Sequence, residues 1–199
     1  MPTAREALLD AALRALAERP WRTVRMVEVA ALAGVSRQTL YNEFGTKGGL
    51  ATALLRRAAD RYLAGVDRAL TAPAPEHPVA VAHWTVRAAR EDPLVKGLLT
   101  GLWGEWLPRP GHEVPAPAQL LGLARDRMVA VVSDPTTETY ETAIRCETAL
   151  RLALSYVVVP RSPGQCAEPD SWSPITPMIT SEIDTSFSVE TMSPRKTMP

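Results

Sequence analysis

The most constraining stretch of this chain is TVRMVEVAALAGVSRQTLYNEFGTKGGL, residues 23–50. Met26, Val29, Ala30 and Ala33 recur at i, i+3, i+4 and i+7, so the spacing predicts a short helix with one apolar face. Gly34 follows as a residue free to take positive φ at a helix C-terminus. Val35 is then an apolar plug, and Ser36 suits the N-cap of a second helix. Leu40 and Phe44, four residues apart, turn that second helix inward against the first. At 100° per residue, Gln38 and Asn42 then point away from the buried face. Two short helices held at a steep angle by a tight turn are what a helix-turn-helix requires. The second helix can enter a DNA major groove about 12 Å wide while the first braces it.

The outward and flanking positions of the second helix are Arg37, Gln38, Thr39, Tyr41 and Asn42, and Glu43 is its one acid. Each of the five can donate a hydrogen bond to a phosphate or a base edge. Arg suits guanine O6/N7, and Gln suits adenine N6/N7. The competing reading is a plain helical hairpin whose polar face is merely solvated. The run of outward and flanking polar groups with a single acid favours the nucleic-acid reading. The chain has 22 basic and 22 acidic residues, yet residues 1–70 hold 11 basic and 7 acidic side chains. A basic N-terminal third on an acidic remainder implies an anion-binding surface on one module only.

Elsewhere the pattern is helical and the expected fold class is all-α. Leu8, Ala11, Ala12, Ala15 and Leu16 form one apolar stripe, and Tyr140, Ala143, Ile144, Leu150, Ala153, Leu154 and Val157 form another. Asp92–Pro93 and Asp134–Pro135 each read as an N-cap followed by proline at the first helical position. APAPEHP (72–78) and PRPGHEVPAP (108–117) are read as loops, because proline lacks an amide donor and restricts its predecessor. From residue 155 onward there is no leucine and one alanine, Ala167, and 19 of residues 161–199 are Pro, Ser, Thr or Gly. Such a segment has little to bury against its ordering entropy, so 161–199 is expected to be a disordered tail.

Other classes find little footing. No window of about 18 apolar residues predicts a membrane span, and the N-terminus has no signal-peptide core. Cys146 and Cys166 are too few for a disulfide framework and fit a reducing, cytoplasmic setting. His77, His83 and His112 have no metal-ligand spacing with either cysteine. No Gly-rich phosphate loop or nucleophile elbow occurs, so neither an enzyme nor a cofactor is expected. Cys146 reads as a small packing residue within a helix. A helical protein-interaction module is the second alternative.

The block AGVSRQTLYNEFGTK resembles the signature of the tetracycline-repressor (TetR) family of transcriptional regulators, and REALLDAALRALAERPW resembles that family's first helix. The likeness spans roughly residues 5–60. It implies a helix-turn-helix domain over 1–47 and a helical effector-binding and dimerisation domain over 48–160, entered by a linking fourth helix, with the tail 161–199 beyond. It further implies a homodimer on a palindromic double-stranded DNA operator, regulated by a small-molecule effector, with repression as the default. Carried over by position, Arg37 and Gln38 would face base edges. Thr39, Tyr41 and Lys47 would touch phosphates, with Lys47 at the N-terminus of the linking helix, where anions are favoured. Asn42 lies on the same exposed face.

Three departures from the family pattern stand out. Glu43 replaces a frequent histidine and would weaken phosphate binding unless Arg37 or Lys47 neutralises it. Gly48 and Gly49 open the fourth helix, where their flexibility suggests a hinge. Pro20 replaces a common glycine. The resemblance also implies an apolar effector, for which Trp84, Trp103, Trp106 and Tyr140 are the candidate lining, with Met128 beside them and His83 as a polar handle. The last helix of the family's dimer bundle is not evident, and the segment past Pro160 is read as its divergent replacement.

Overall fold

The computed structural model describes residues 3–73, 76–132 and 139–159. The expected Asp134 cap and the 161–199 tail lie outside them. Every regular element among the described residues is helical, and none is long and apolar enough to cross a membrane.

Helix α1 (Ala4–Glu18) starts with a capping box. Thr3 Oγ1 accepts from the Glu6 amide at 3.2 Å, and Glu6 Oε2 accepts from the Thr3 amide at 2.7 Å. Its apolar stripe is buried as expected at Leu8, Ala11, Ala12 and Ala15. A 3-10 turn at Trp21–Thr23 leads to α2 (Met26–Ala33). Gly34 takes φ +69°, and the Val35 amide reaches back to the Ala30 carbonyl at 3.1 Å, the bond that closes a helix end around a left-handed residue. Ser36 then caps α3 (Arg37–Phe44), its Oγ accepting from the Thr39 amide at 3.0 Å. Thr46 does the same for α4 (Lys47–Ala69) through the Gly49 amide at 3.1 Å.

The second half comprises α5 (His77–Glu91), α6 (Pro93–Thr100), α7 (Pro117–Val132) and α8 (Thr139–Val158). Asp92 caps α6 ahead of Pro93, accepting from the Leu94 amide at 2.9 Å. Helix α8 packs chiefly on α5 and α7. Its buried face is Thr142, Cys146, Ala149, Leu150, Ala153 and Val157. Leu150, Ala153 and Val157 match the stripe read from sequence, but Tyr140 and Ile144 face solvent. Small residues at 142, 146 and 149 let α8 approach its neighbours, which phases its first half away from the bulky side chains. Burial raises the Cys146 thiol to about 11, so it stays protonated and acts as packing.

The described residues form two hydrophobic cores. One gathers α1, α2, α3 and the first turns of α4 (Leu50, Ala51, Ala53, Leu54); the other gathers α5 to α8 around Leu55, Ala58, Ala59, Tyr62, Leu63 and Val66 of the same helix. Leu13 and Leu16 of α1 pack against both. The segment between α6 and α7 also returns to the first core. The Trp106 carbonyl accepts from the Trp21 amide at 2.8 Å, and Arg56 pairs with Glu113 at 3.3 Å.

The paired glycines of α4 differ in role. A Cβ on Gly49 would collide with the backbone carbonyl oxygen of Phe44, so this position permits the close approach of α3 to α4. Close packing rather than a hinge accounts for it. A Cβ on Gly48 would make an ordinary 3.5 Å contact with Thr46 Oγ1. Gly49→Ala should therefore cost on the order of 1–3 kcal/mol through overpacking. Gly48→Ala should be neutral or stabilise by up to about 1 kcal/mol. Thermal unfolding of the two variants checks this; equal effects would contradict the packing role of Gly49.

Candidate nucleic-acid interface

Helix α3 buries Leu40 and Phe44 and exposes most of the rest. On its exposed side the polar groups form two neighbouring i, i+4 pairs. The Arg37 guanidinium lies 5.5 Å from the Tyr41 ring centroid, and Gln38 Nε2 donates to Asn42 Oδ1 at 2.8 Å. These contacts hold long side chains in extended register before any partner arrives. The pairing leaves the Gln38 carbonyl oxygen as an acceptor and the Asn42 amide nitrogen as a donor. Thr39 is more constrained, because its hydroxyl lies 2.8 Å from the Ser36 hydroxyl at the cap.

Lys47 sits at the first turn of α4, half-buried. Its Nζ donates to the Arg22 carbonyl at 3.0 Å and lies 5.5 Å from the Trp21 ring centroid. Burial lowers its pKa from the ordinary lysine range. Lys47 is thus fastened to the 3-10 turn rather than to α3, and it does not neutralise Glu43. Neither does Arg37. Glu43 is met instead by Arg5 of α1, at 3.4 Å, and the same guanidinium lies 4.8 Å from the Phe44 ring. The sequence reading missed Arg5 because the pair joins residues 38 positions apart. It also passed over Arg22 and Arg25, which are exposed and form no ion pair among the described residues. The basic excess of residues 1–70 was the signal available for them.

The four expected lining residues of the effector site do not converge. Trp84 lines a cleft between α4 and α5 together with His83. Its indole lies against Gly65, where a Cβ would strike the ring, and Nε1 donates to the Tyr62 carbonyl at 3.0 Å. Trp103 packs on α6, within 2.7 Å of where a Gly97 Cβ would stand. Trp106 is 52% exposed and Tyr140 is 73% exposed, and neither lines the α4–α5 cleft. Met128 is fully buried in the second core. These rings serve packing or face solvent; of the four, Trp84 borders the open cleft. Desolvation lowers the His83 pKa, favouring the neutral ring. No cluster of three metal-ligating side chains occurs among the described residues.

A polar helix presented to solvent and braced across a glycine turn defines a helix-turn-helix DNA-binding protein. Residues 8–54 match the family described as bacterial regulatory proteins, tetR family. The chain is 33% identical over 180 residues to the HTH-type transcriptional regulator AlkX of Mycobacterium tuberculosis, covering 87% of this chain and 83% of that one. Solved structures share the fold. The TetR family repressor AlkX from Dietzia sp. strain DQ12-45-1b aligns with a TM-score of 0.53 at 22% identity, over 91% of this chain and 95% of its own. The fatty acid degradation regulator FadR from Bacillus halodurans aligns with a TM-score of 0.51 at 14% identity, over 79% and 86%. The chain belongs to the TetR family and is a DNA-binding transcriptional regulator.

The Arg5–Glu43 pair yields a direct test. Arg5→Ala should expose the Glu43 carboxylate beside the duplex and weaken DNA binding roughly three- to tenfold, the scale of one surface charge. Adding Glu43→Gln to that variant should recover the loss. Quantitative mobility shifts on the four proteins of the cycle measure the coupling. An undiminished loss in the double variant would assign Arg5 its own phosphate contact.

Proposed function

We propose that this protein represses transcription as a homodimer on a palindromic operator, and that an effector bound in its helical second half releases it. The exposed face of α3 carries this reading. In it, Arg37 and the Gln38–Asn42 pair address base edges. Arg37 supplies the bidentate fork suited to guanine, and the remaining acceptor of Gln38 with the donor of Asn42 matches adenine N6 and N7. Thr39 and Tyr41 at the flanks, and Lys47 at the α4 N-terminus, address phosphates. The three Nζ hydrogens of Lys47 leave donors beyond the Arg22 bond, and the helix terminus itself favours an anion.

Dimerisation through α7 and α8 is supported by exposed Leu123, Val131, Tyr140, Ile144 and Val158, which concentrate large apolar side chains on these two helices. A two-fold protein places its reading helices on half-sites roughly 34–36 Å apart, or a multiple of that. An effector alters this spacing only by binding one dimer geometry better than the other. The cleft at Trp84 and His83 is the seat this reading gives the effector, because it is bounded by α4, the helix that carries the DNA-binding half.

Selection of bound duplexes from a random pool should return a palindrome, with affinity falling steeply as salt rises. On that site, Arg37→Ala and Gln38→Ala should each cost about 1–3 kcal/mol and relax specificity at their own base positions. Lys47→Ala should weaken all duplexes alike. Equal losses on every sequence from all three changes would reject this division of roles, and a monomer at micromolar concentration in sedimentation would reject the two-fold arrangement.

A further inference from the structure

Successive arginines along α4 meet different fates. Arg56 pairs with Glu113, Arg57 with Asp10 at 2.7 Å and Arg61 with Asp92 at 2.6 Å. Arg68, one to two turns further on, has no carboxylate partner among the described residues. Neither do Arg87 and Arg90 of α5. These three guanidiniums line one cleft of 770 Å³, with Glu91 as the acid on its wall. That volume lies in the range of small-molecule sites. An excess of two positive charges around an open cleft is unfavourable by self-repulsion unless an anion enters.

The cationic groups are also held in place. Arg68 and Arg87 lie 5.7 and 5.3 Å from the centroid of the Trp84 ring, and that ring is itself fixed by Gly65 and the Tyr62 carbonyl. Arg90 follows Arg87 by three residues on the same helix face. Ala69, Ala72, Ala80 and Val86 contribute apolar wall. The planar forks suit the two oxygens of a carboxylate or a phosphate, and the alanines suit a compact apolar body. DNA does not supply this anion. Arg68 follows Lys47 by 21 residues of continuous helix, a rise of roughly 30 Å from the reading face.

We propose that the α4–α5 cleft binds a small organic oxyanion, a carboxylate or phosphate group on an apolar body, through Arg68, Arg87 and Arg90. That its occupancy regulates DNA binding rests on the effector reading above; the binding itself does not. Calorimetric titration of the full chain with phenylacetate, phenyl phosphate, inorganic phosphate and benzyl alcohol tests it. At least one of the two organic anions should bind ten times more tightly than the neutral alcohol. Preference between them tells carboxylate from phosphate, and inorganic phosphate reports the head group alone. Arg87→Gln and Arg90→Gln should each weaken that binding about tenfold, whereas Arg145→Gln, exposed on α8, should not. Circular dichroism melts should show all variants folded.

Equal affinity for alcohol and anion, undiminished anion binding in the Arg87→Gln/Arg90→Gln double variant, or no binding at millimolar concentration would overturn the proposal. Mobility shifts with the same probes separate it from the effector reading. Anion binding that leaves operator affinity unchanged keeps the site and removes its regulatory role. Release by a neutral compound with no anion binding overturns the oxyanion site and keeps an effector.

Discussion

One helix has to satisfy two interiors. Over its 23 residues α4 buries Leu50, Ala51, Ala53 and Leu54 among α1, α2 and α3, then Leu55, Ala58, Ala59, Tyr62, Leu63 and Val66 among the remaining helices. Since a helix is stiff over this length, the rotation of its first turns is tied to that of its last. Small side chains at 51, 53, 58 and 59 admit neighbours closely on both sides, and Gly49 and Gly65 admit a backbone and an indole where even a methyl group would collide. The position of α3 relative to the second core is therefore set by packing along α4.

Two lesser ties reinforce this one. The Trp21 amide bonds the Trp106 carbonyl, and Arg56 reaches Glu113, so the segment between α6 and α7 clasps the base of the DNA-binding half. Trp21 in turn lies beside the Lys47 ammonium. The exposed ion pairs are individually worth little. The Arg56–Glu113 and Arg57–Asp10 pairs matter for where they lie, near the division between the cores that α4, Leu13 and Leu16 bridge by apolar contact among the described residues.

What the sequence made legible was local. Gly34, Ser36 and the Asp92–Pro93 pair announce helix ends because cap chemistry depends on a few adjacent residues, and Leu40 with Phe44 fixes which side of α3 is buried. What escaped it was non-local. The partner of Glu43 stands on α1, a contact no spacing rule reveals. The tryptophans were expected to gather around a ligand, yet two are placed by glycines on neighbouring helices and one is largely in solvent. The phase of α8 was misread over its first half, because Thr142 and Cys146, weak as hydrophobic signals, are the small residues on its buried face. Gly49 looked like flexibility when only its neighbour in space, the Phe44 carbonyl, explains it.

The central claim is that α3 lies in the major groove with Arg37 and Gln38 turned to the bases. Guanine N7 opens only to that groove, so dimethyl sulfate protection on the selected operator reads the claim directly. Two symmetry-related patches of protected guanine are expected, and Arg37→Ala should lift protection at one base in each. A protein that binds this duplex while every guanine N7 stays reactive, or whose protection is unchanged by that substitution, would contradict the claim.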